Sequence, residues 1–487
     1  MSTKKGTTGG PELLVQLTRG AGGPLRAQLE DGLRAAVRAG HLAAGSRLPA
    51  SRVLAEDLGV SRRLVVDAYA QLLAEGYLLS RRGAGTYVAE AASAPAAPQA
   101  PAEPERPSFD FFPGNPELAR FPRAAWLRAT REVLRVAPDQ AFGYPDPRGA
   151  PPLRVALAAH LRRVRGVAVE ASNIVVCAGA AQGFALLASA LPHPRLAIED
   201  PWLPPHREIL RAGGAELLAM PVDGDGARVG ELDRLAVDGA GIDGVLVTPA
   251  HQSPTGAVLS PSRRAALLAW AAAADAVVIE DDYDAEYRYD RAPLAAMQGL
   301  APDRVVYVGT ASKTLAPALR LGWMVLPPRL VEVVLERKQL ADHGAPTLEQ
   351  LVLAQLLDSG AYDRHLRMAR RRYRARRAAL VQAVGRHLPR ARVTGAAAGL
   401  HALVRLARPV DGLSLIQAAL RRSVGAYPLG YTYIEPRARD DGVVLGYANL
   451  TEPAIEEGIR RLAAAVAEVE GRRGAGGPRI APAGLRG

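Results

Sequence analysis

Lysine is rare in this chain, and Lys313 stands where the chemistry of a free amine is useful. The 61 basic side chains include only four lysines, so arginine carries nearly all the positive charge. Lys313 lies in residues 309–314, Gly-Thr-Ala-Ser-Lys-Thr, directly after the apolar run 305–308. Small polar residues after a strand predict a tight pocket. There a desolvated lysine can lose its proton and form a Schiff base, whereas arginine cannot. The alternative is a surface lysine at a strand end.

A second segment, which contains acidic residues and a tyrosine, supports the prediction of a pocket around Lys313. The apolar run 276–279 ends in acids, among them Asp281, and Tyr283 follows two residues later. Ligands gather at the carboxyl ends of parallel strands, so Asp281 and Lys313 are expected at one edge of a sheet. A carboxylate beside a pyridine nitrogen makes the ring an electron sink, which is the usual partner of a lysine Schiff base. Tyr283 is placed to hydrogen-bond a ring hydroxyl.

An anion site is predicted on the same sheet. Residues 175–182 read as a strand, a turn of small residues and the start of a helix, whose backbone amides favour an anion. Arg320, seven residues after Lys313, is a candidate for a bidentate phosphate contact. Packing alone explains most such turns, but the order of turn, acid, lysine and arginine is more specific.

These residues resemble the fold-type I family that binds pyridoxal 5′-phosphate (PLP), as in aspartate aminotransferase, over roughly residues 109–470. The motifs are residues 142–149, 248–256 and 309–313. The resemblance implies that Lys313 forms the Schiff base with PLP, Asp281 contacts the pyridine nitrogen and Tyr283 the phenolic oxygen. It also implies a phosphate site and, through Tyr144 reaching the neighbouring subunit's cofactor, a functional dimer. The implied phosphate ligands are Ala180, Ala181, Thr310 or Ser312, and Arg320.

Three positions depart from the aminotransferase pattern. The position of the ring that usually stacks on the pyridine is Leu203, with Trp202 beside it, and the usual asparagine before Pro254 is Ser253. The family usually has an arginine that binds the substrate carboxylate, and at that position this chain has Val444. A hydrocarbon side chain cannot pair with a carboxylate. Ordinary amino-acid turnover is therefore not expected, and the alternative is that an arginine from elsewhere in the chain binds the carboxylate.

The first 90 residues predict a different domain. An amphipathic helix opens at Pro24 and runs to about Ala39, with leucines and a valine at a spacing of four. A short helix from Arg52 to Leu58, capped by Ser51, is followed by a glycine turn. A second helix, capped by Ser61, runs from Arg62 to about Glu75 and is expected to bury Val65, Val66, Tyr69 and Leu72. This is the helix-turn-helix layout. Residues 76–88 predict two strands around an arginine-glycine tip.

This segment resembles the winged helix of the GntR regulators through residues 48–52, 59–62 and 83–88. The resemblance implies DNA contacts by the start of the second helix and by the wing. A small helical packing domain with solvated arginines is the alternative, and the apolar residues 64–66 predict a small set of base contacts. The expected DNA-binding residues are Arg52, Ser61, Arg62, Arg63, Arg81, Arg82, Gly85 and Thr86.

The predicted organisation is a winged helix-turn-helix domain (residues 11–89), an Ala/Pro-rich linker (90–108), a PLP-binding domain (109–470) and a disordered tail (471–487). Seven apolar runs between residues 174 and 326 alternate with helical stretches, which predicts a mainly parallel seven-stranded α/β sheet with a smaller C-terminal α+β domain. The net charge of +12 favours nucleic acid as a partner. The single cysteine excludes a disulfide framework, and Cys177 is expected to be a buried thiol.

Other classes of function find less support. The nine histidines show no metal-ligand spacing, so no metal is expected, and no apolar run reaches membrane length, which favours a cytoplasmic protein. The whole architecture resembles the MocR subfamily of GntR regulators. It implies a PLP-responsive transcription regulator that binds operator DNA as a homodimer with swapped DNA-binding domains. The effector is PLP itself, controlling vitamin B6 synthesis, or an amine or amino acid. The alternative is an active PLP-dependent aminotransferase with an accessory DNA-binding domain.

Overall fold

The computed structural model describes residues 17–20, 23–81, 83–90, 107–191, 193–236, 241–290, 294–395 and 397–471. The chain divides into two compact units, residues 1–104 and 105–487. The predicted tail lies outside the described residues beyond its first residue, and so does all of the predicted linker except residues 90, 107 and 108.

The N-terminal unit is a three-helix domain with a two-stranded wing. Its elements are α1 (Leu25–Arg38), α2 (Ser51–Leu58), α3 (Arg62–Ala74), β1 (Leu78–Arg81) and β2 (Gly85–Val88). The strands pair antiparallel. The helix-turn-helix and wing predicted from the sequence are therefore confirmed. The apolar side chains of the three helices share one core, which includes Leu29, Leu33, Val37, Leu54, Val65, Tyr69, Leu72 and Val88.

Two details of this unit differ from the sequence prediction. Ser51 is the first residue of α2 and makes no capping hydrogen bond, because Ala50 occupies the cap position. Val66 is not buried: 43% of its surface is exposed. Val65 and Val66 are neighbours on a helix and point about 100° apart, so the core can take only one of them. The predicted cap at Ser61 is confirmed, since its hydroxyl accepts a 3.3 Å hydrogen bond from the amide of Leu64.

The second unit is built on a large mixed sheet. Before it come β3 (Phe109–Asp110), α4 (Arg123–Val136) and α5 (Pro151–Arg165). All seven predicted strands form, and the two-residue strand β7 adds an eighth, so the predicted count of seven is one too low. The strands are β4 (Ile174–Cys177), β5 (Arg195–Asp200), β6 (Glu216–Asp223), β7 (Gly226–Ala227), β8 (Gly244–Val247), β9 (Val277–Asp282), β10 (Val305–Thr310) and β11 (Gly322–Val325).

The strand order is β4-β11-β10-β9-β8-β5-β6-β7, and β5, β6, β8, β9 and β10 run parallel. Helices cover both faces of the sheet, because its strands are apolar on both sides. Cys177 is fully buried on β4, as predicted. The helices of this part are α6 (Ala180–Ala190), α7 (Pro204–Ala212), α8 (Leu232–Leu235), α9 (Pro261–Ala273), α10 (Pro328–Asp342) and α11 (Thr347–Asp358).

The predicted smaller α+β region follows α11. Its four-stranded antiparallel sheet has the order β12-β13-β16-β15, and β14 pairs with β3. Helices α12 and α14 and the sheet enclose one apolar core. Its elements are α12 (Ala361–His387), β12 (Arg392–Thr394), β13 (His401–Asp411), α13 (Gly412–Leu420), β14 (Val424–Gly425), β15 (Tyr427–Pro428), β16 (Arg439–Gly446) and α14 (Glu452–Gly471). None of the described helices has the length and apolarity needed to cross a membrane.

Candidate functional site

The predicted cofactor residues Asp281 and Lys313 follow from two adjacent parallel strands. β9 and β10 pair with Asp281 opposite Val308, so both strands end at the same edge of the sheet. Lys313 lies three residues beyond the end of β10. Burial lowers the pKa of its amine, and the charges of Asp284 and Asp281 oppose that shift only in part. A lysine with a lowered pKa is a better nucleophile toward an aldehyde.

Asp281 is 4% exposed, and its Oδ1 atom has no hydrogen-bond partner among the described residues. Burial, followed by the charges of Asp282, Asp284 and Glu199, raises its pKa to about 8, while Lys313 acts in the opposite direction. A buried carboxyl without a partner is costly, and a protonated pyridine nitrogen would supply the missing donor. The residue therefore fits the group that the sequence predicted for it.

Tyr283 lies beside a polar group that the sequence prediction did not include. Its hydroxyl donates a 3.0 Å hydrogen bond to the carbonyl of His251 and lies 3.1 Å from that residue's Nδ1. Ser253, which replaces the usual asparagine, is also buried. Burial raises the pKa of Tyr283 well above its ordinary value, and Asp284 and Asp281 add to the shift. The phenol is held as a neutral hydrogen-bond donor.

The predicted phosphate residues surround the start of α6. Gly179 precedes this helix with a φ of 85° and supplies no side-chain cap, so the amides of Ala180 and Ala181 begin the helix without one. Arg320 donates a 2.6 Å hydrogen bond to the carbonyl of Ala178, and a Cβ on Gly179 would lie 3.3 Å from its Nη1 atom. An uncapped helix start beside a guanidinium has the chemistry to hold an anion.

Thr310 and Ser312 lie between β10 and the lysine. The Thr310 hydroxyl donates a 3.0 Å hydrogen bond to that of Ser312 and accepts one of 3.1 Å from the Ser312 amide. Thr310 is buried, whereas Ser312 is half-buried, so Ser312 is the better placed of the two for a ligand.

Two histidines and an acid close the site, although their sequence spacing gave no sign of it. His251 Nδ1 lies 3.1 Å from Asp284 Oδ2, and the rings of His251 and His401 are 5.0 Å apart. One ligand atom from each of these three buried residues lies within 4.8 Å of the others. The Nε2 atom of His401 has no partner among the described residues. Spacing could not reveal this cluster, because 150 residues separate the two histidines and only the fold joins them.

The departing positions Leu203 and Val444 have different environments. Leu203 is half-buried directly before α7, next to Trp202. Trp202 is fully buried and packs its ring 5.7 Å from that of Phe184, so it belongs to the core. His206 lies next to both rings, and burial together with the nearby charge of Lys313 lowers its pKa to about 4. Val444 is 2% exposed and packs with an apolar cluster around Leu403. The position of the usual carboxylate clamp is therefore closed by hydrocarbon.

Tyr144, the predicted cofactor residue expected to act across a dimer, lies on the surface of its own subunit. Its side chain is 96% exposed, which is unusual for an aromatic residue. Since an exposed tyrosine gains nothing from its own subunit, the contact predicted across a dimer stays open to it.

In the N-terminal unit the predicted DNA residues at the start of α3 are exposed. Arg62 and Arg63 open the helix directly after the Ser61 cap. Arg52 on α2 and Arg62 line one surface groove with Gly59 between them. Arg52 also lies 3.5 Å from Glu56, and Arg63 lies 3.9 Å from Asp67, both as exposed pairs. Such pairs are weak and leave the guanidinium groups available to phosphate.

The wing presents a second set of basic groups. The Arg81 guanidinium lies over the ring of Tyr87 at 4.9 Å, while Arg82 lies outside the described residues. Arg47, which the sequence prediction missed, is exposed and lies against Gly85, where a Cβ would approach its Nε atom to 3.0 Å. Thr86 is half-buried beside it. Arg47 had no recognisable motif of its own, because it reaches the wing through the fold.

Comparison with known proteins defines the class of both units. Residues 114–462 match the family model of the aminotransferases of class I and II, and residues 25–88 match that of the gntR family of bacterial regulatory proteins. The multiple substrate aminotransferase from Thermococcus profundus superposes with a TM-score of 0.71 at 26% identity, over 76% of this chain and 93% of that chain. The molecule is a GntR-type DNA-binding domain joined to a fold-type I aminotransferase domain.

Relatives that match over nearly their whole length define the family of the chain more closely. The chain is 34% identical over 482 residues to the probable rhizopine catabolism regulatory protein MocR of Rhizobium meliloti, covering 94% of this chain and 97% of the relative. It is 34% identical over 445 residues to the HTH-type pyridoxine biosynthesis transcriptional regulator PdxR of Corynebacterium glutamicum, covering 90% and 95%. The chain belongs to the MocR-type GntR transcriptional regulators.

Proposed function

We propose that this regulator binds PLP at Lys313 and controls transcription through it. PLP then acts as the effector or as the platform on which an effector binds. The observation that carries the proposal is the buried Asp281 carboxyl at the strand edge that also presents Lys313. Among the residues that the structure describes, its Oδ1 atom has no hydrogen-bond partner. A pocket built only for packing would pair or remove such an acid.

Each of the residues around this edge has a role in holding the cofactor. When bound, PLP would supply an aldehyde for the Lys313 amine and a ring that accepts electrons. Asp281 would hold the ring nitrogen and Tyr283 the phenolic oxygen. The phosphate would lie at the start of α6, with Ala180, Ala181, Ser312 or Thr310, and Arg320 around it.

The apolar surroundings of Val444 favour PLP itself as the effector over an amino acid. A ligand shifts a conformational equilibrium only by its differential affinity for the two states. With hydrocarbon at the clamp position, an amino acid has no strong carboxylate contact there. The relative named for pyridoxine biosynthesis supports control of vitamin B6 synthesis as the target function. The alternative effector is an amine or amino acid that uses a different arginine.

A second candidate function is catalysis as an aminotransferase. It is favoured by the set of Asp281, Tyr283, Lys313 and Arg320, which is complete in this chain. The chain is also 27% identical over 363 residues to the aromatic-amino-acid aminotransferase 1 of Thermococcus litoralis. Val444 and Leu203 count against it. Turnover of PLP-loaded protein with amino donors separates this function from binding alone.

One experiment tests the cofactor and its role together. Purified protein treated with PLP and then borohydride should gain a covalent adduct at Lys313, and Lys313→Ala should gain none. Cofactor-depleted protein is then titrated on DNA from its own promoter region, with and without PLP. PLP alone should change the affinity or the footprint. A change that appears only after an amino acid is also added would contradict PLP as the effector.

A further inference from the structure

The exposed face of α3 that begins with the predicted DNA-binding residue Arg62 carries an apolar side chain, Val66. The exposed positions Arg62, Val66 and Ala70 lie four residues apart and so share one face of the helix. The opposite face, with Val65 and Leu72, is buried in the core. Val66 keeps 43% of its surface exposed although its neighbour Val65 has none. The domain core therefore does not explain Val66.

The surroundings of Val66 form a shallow groove between the helix and the wing. The groove is lined by the apolar Val66, Ala70 and Leu73 on one side and by Arg47 and Gly85 on the other. Arg47 places a cation at its edge, in contact with the wing. In a DNA groove the base edges lie between phosphates. The apolar floor of the protein groove is suited to a base edge, and the cation at its side is suited to a phosphate.

The chemistry of a valine allows it to recognise one feature of a base edge. It has no donor or acceptor, so it cannot distinguish guanine, adenine or cytosine by hydrogen bonds. The only apolar group in the major groove is the C5-methyl group of thymine. The same methyl group is present on 5-methylcytosine, which pairs as cytosine.

We propose that Val66 recognises the C5-methyl group of a thymine in the operator, one helical turn after Arg62. The inference rests on the proposed DNA-binding function and deepens it, because it assigns a specificity-determining residue and its ligand. Arg62 and Arg63 approach base edges or phosphates from the N-terminal turn of α3. Val66 follows on the same face and fills the space beside the methyl group. Val66 would then add a preference for thymine to the small set of base contacts that the sequence alone indicated.

The test uses the full-length protein and operator duplexes. The operator is first selected by the protein from a pool of random DNA duplexes. Each thymine of the selected site is then replaced singly by uracil, which removes the methyl group and keeps every hydrogen-bonding atom. Binding is measured by fluorescence anisotropy at one salt concentration. Each half-site should contain one thymine at which this single replacement weakens binding about fourfold, which is the effect of one buried methyl-sized group.

A matched pair of variants locates the effect. Val66→Ala should bind the thymine and uracil operators equally, because the side chain that contacts the methyl group is shortened. Val53→Ala on α2 is the control, since Val53 is 48% exposed and similar to Val66 in exposure. This variant should keep the preference for thymine. Melting curves of both variants should match those of the wild type, because neither valine is part of the core.

The possible outcomes separate the two levels of the argument. Failure to select any sequence overturns DNA recognition and, with it, the role of Val66. Specific binding that is indifferent to uracil at every position overturns the role of Val66 alone. The same conclusion follows if Val66→Ala retains the thymine preference. Replacing the sensitive thymine–adenine pair by cytosine–guanine and then by 5-methylcytosine–guanine should restore part of the lost affinity only in the methylated duplex. Equal binding of those two duplexes also contradicts the proposal.

Discussion

Lys338, whose side chain is completely buried, donates a 2.6 Å hydrogen bond to Asp342 one turn later on α10. The same Asp342 oxygen accepts a 2.7 Å hydrogen bond from Gln182 on α6. The other end of the Gln182 amide accepts a hydrogen bond from the amide of Ala178, whose carbonyl is held by Arg320. The ion pair of a fully buried ammonium with Asp342 thus fixes the turn at which the phosphate is predicted to bind.

Replacing Asp342 and replacing Lys338 should lower the free energy of unfolding by unequal amounts. Asp342→Asn leaves a fully buried ammonium without its carboxylate and should lower the free energy of unfolding by about 3–5 kcal/mol. Lys338→Met should cost less, because Asp342 is partly exposed and keeps its bonds to Gln182 and to the Gly344 amide. Denaturant unfolding of the full-length protein measures both. Glu132→Gln is the control and should change little, because its ion pair with Arg135 lies at the surface. A larger loss for Lys338→Met would contradict this arrangement.

The pKa of Asp281 predicts a trade-off between stability and cofactor binding. Burial raises this pKa to about 8, above the ordinary value of 3.8. An acid whose folded pKa is raised favours the folded state less and less as the pH rises from its unfolded pKa to its folded one. Asp281→Asn should therefore raise the melting temperature of PLP-depleted protein at pH 8 to 9. The gain should shrink as the pH falls and vanish below about pH 4.

The same variant should bind PLP more weakly, because an amide holds a protonated pyridine nitrogen less well than a carboxylate. Melting curves over this pH range and absorbance titrations with PLP measure the two effects. A variant that is less stable than the wild type at pH 8, or that binds PLP as tightly, would show that Asp281 is a structural acid.

Sequence patterns were sufficient for the elements and for the residues that follow strands. Each of the seven apolar runs became a strand, and Asp281 and Lys313 met at one edge because parallel strands must end together. The patterns did not determine which of two adjacent apolar residues faces the core. Val65 and Val66 both fit an apolar face, and only the packing of α1 and α2 against α3 selects Val65.

Tertiary contacts between distant segments were also hidden. His251 and His401 lie in the same pocket, but no sequence motif contains both residues or indicates that they meet. Trp202 was adjacent in sequence to the ring position, yet its large apolar surface is fully buried against Phe184. Lys338 gave the clearest missed signal, because it is one of only four lysines and its side chain is completely buried.

Arginines in the N-terminal unit should affect DNA binding in two distinguishable ways. Arg62→Ala removes a group from the first turn of α3 and should weaken binding to the selected operator by about 1–3 kcal/mol, with less effect on unrelated DNA. Arg81→Ala on the wing should weaken binding to all sequences and lower the slope of log affinity against log salt by about one. Arg135→Ala, an exposed change in the second unit, controls for net charge. Equal behaviour of the three variants would contradict both contacts.

The exposed Tyr144 predicts that each cofactor site is completed by the other subunit of a homodimer. Tyr144→Phe removes one hydroxyl, and the loss of its hydrogen bond to a charged phosphate should weaken PLP binding about tenfold or more. Since the side chain is 96% exposed, the change should leave the melting temperature of PLP-depleted protein unaltered.

Hybrid dimers reveal which subunit supplies the hydroxyl. A dimer of one Lys313→Ala subunit and one Tyr144→Phe subunit is purified with two different affinity tags. If Tyr144 acts across the interface, one site lacks both groups, and the other site has a lysine from the Tyr144→Phe subunit and a tyrosine from the Lys313→Ala subunit. That site should bind half an equivalent of PLP with wild-type affinity. If Tyr144 acts within its own subunit, the only lysine-containing site carries phenylalanine and should bind as weakly as the Tyr144→Phe homodimer. Weak binding in the hybrid would therefore overturn the predicted contact between subunits, while leaving the Lys313 site intact.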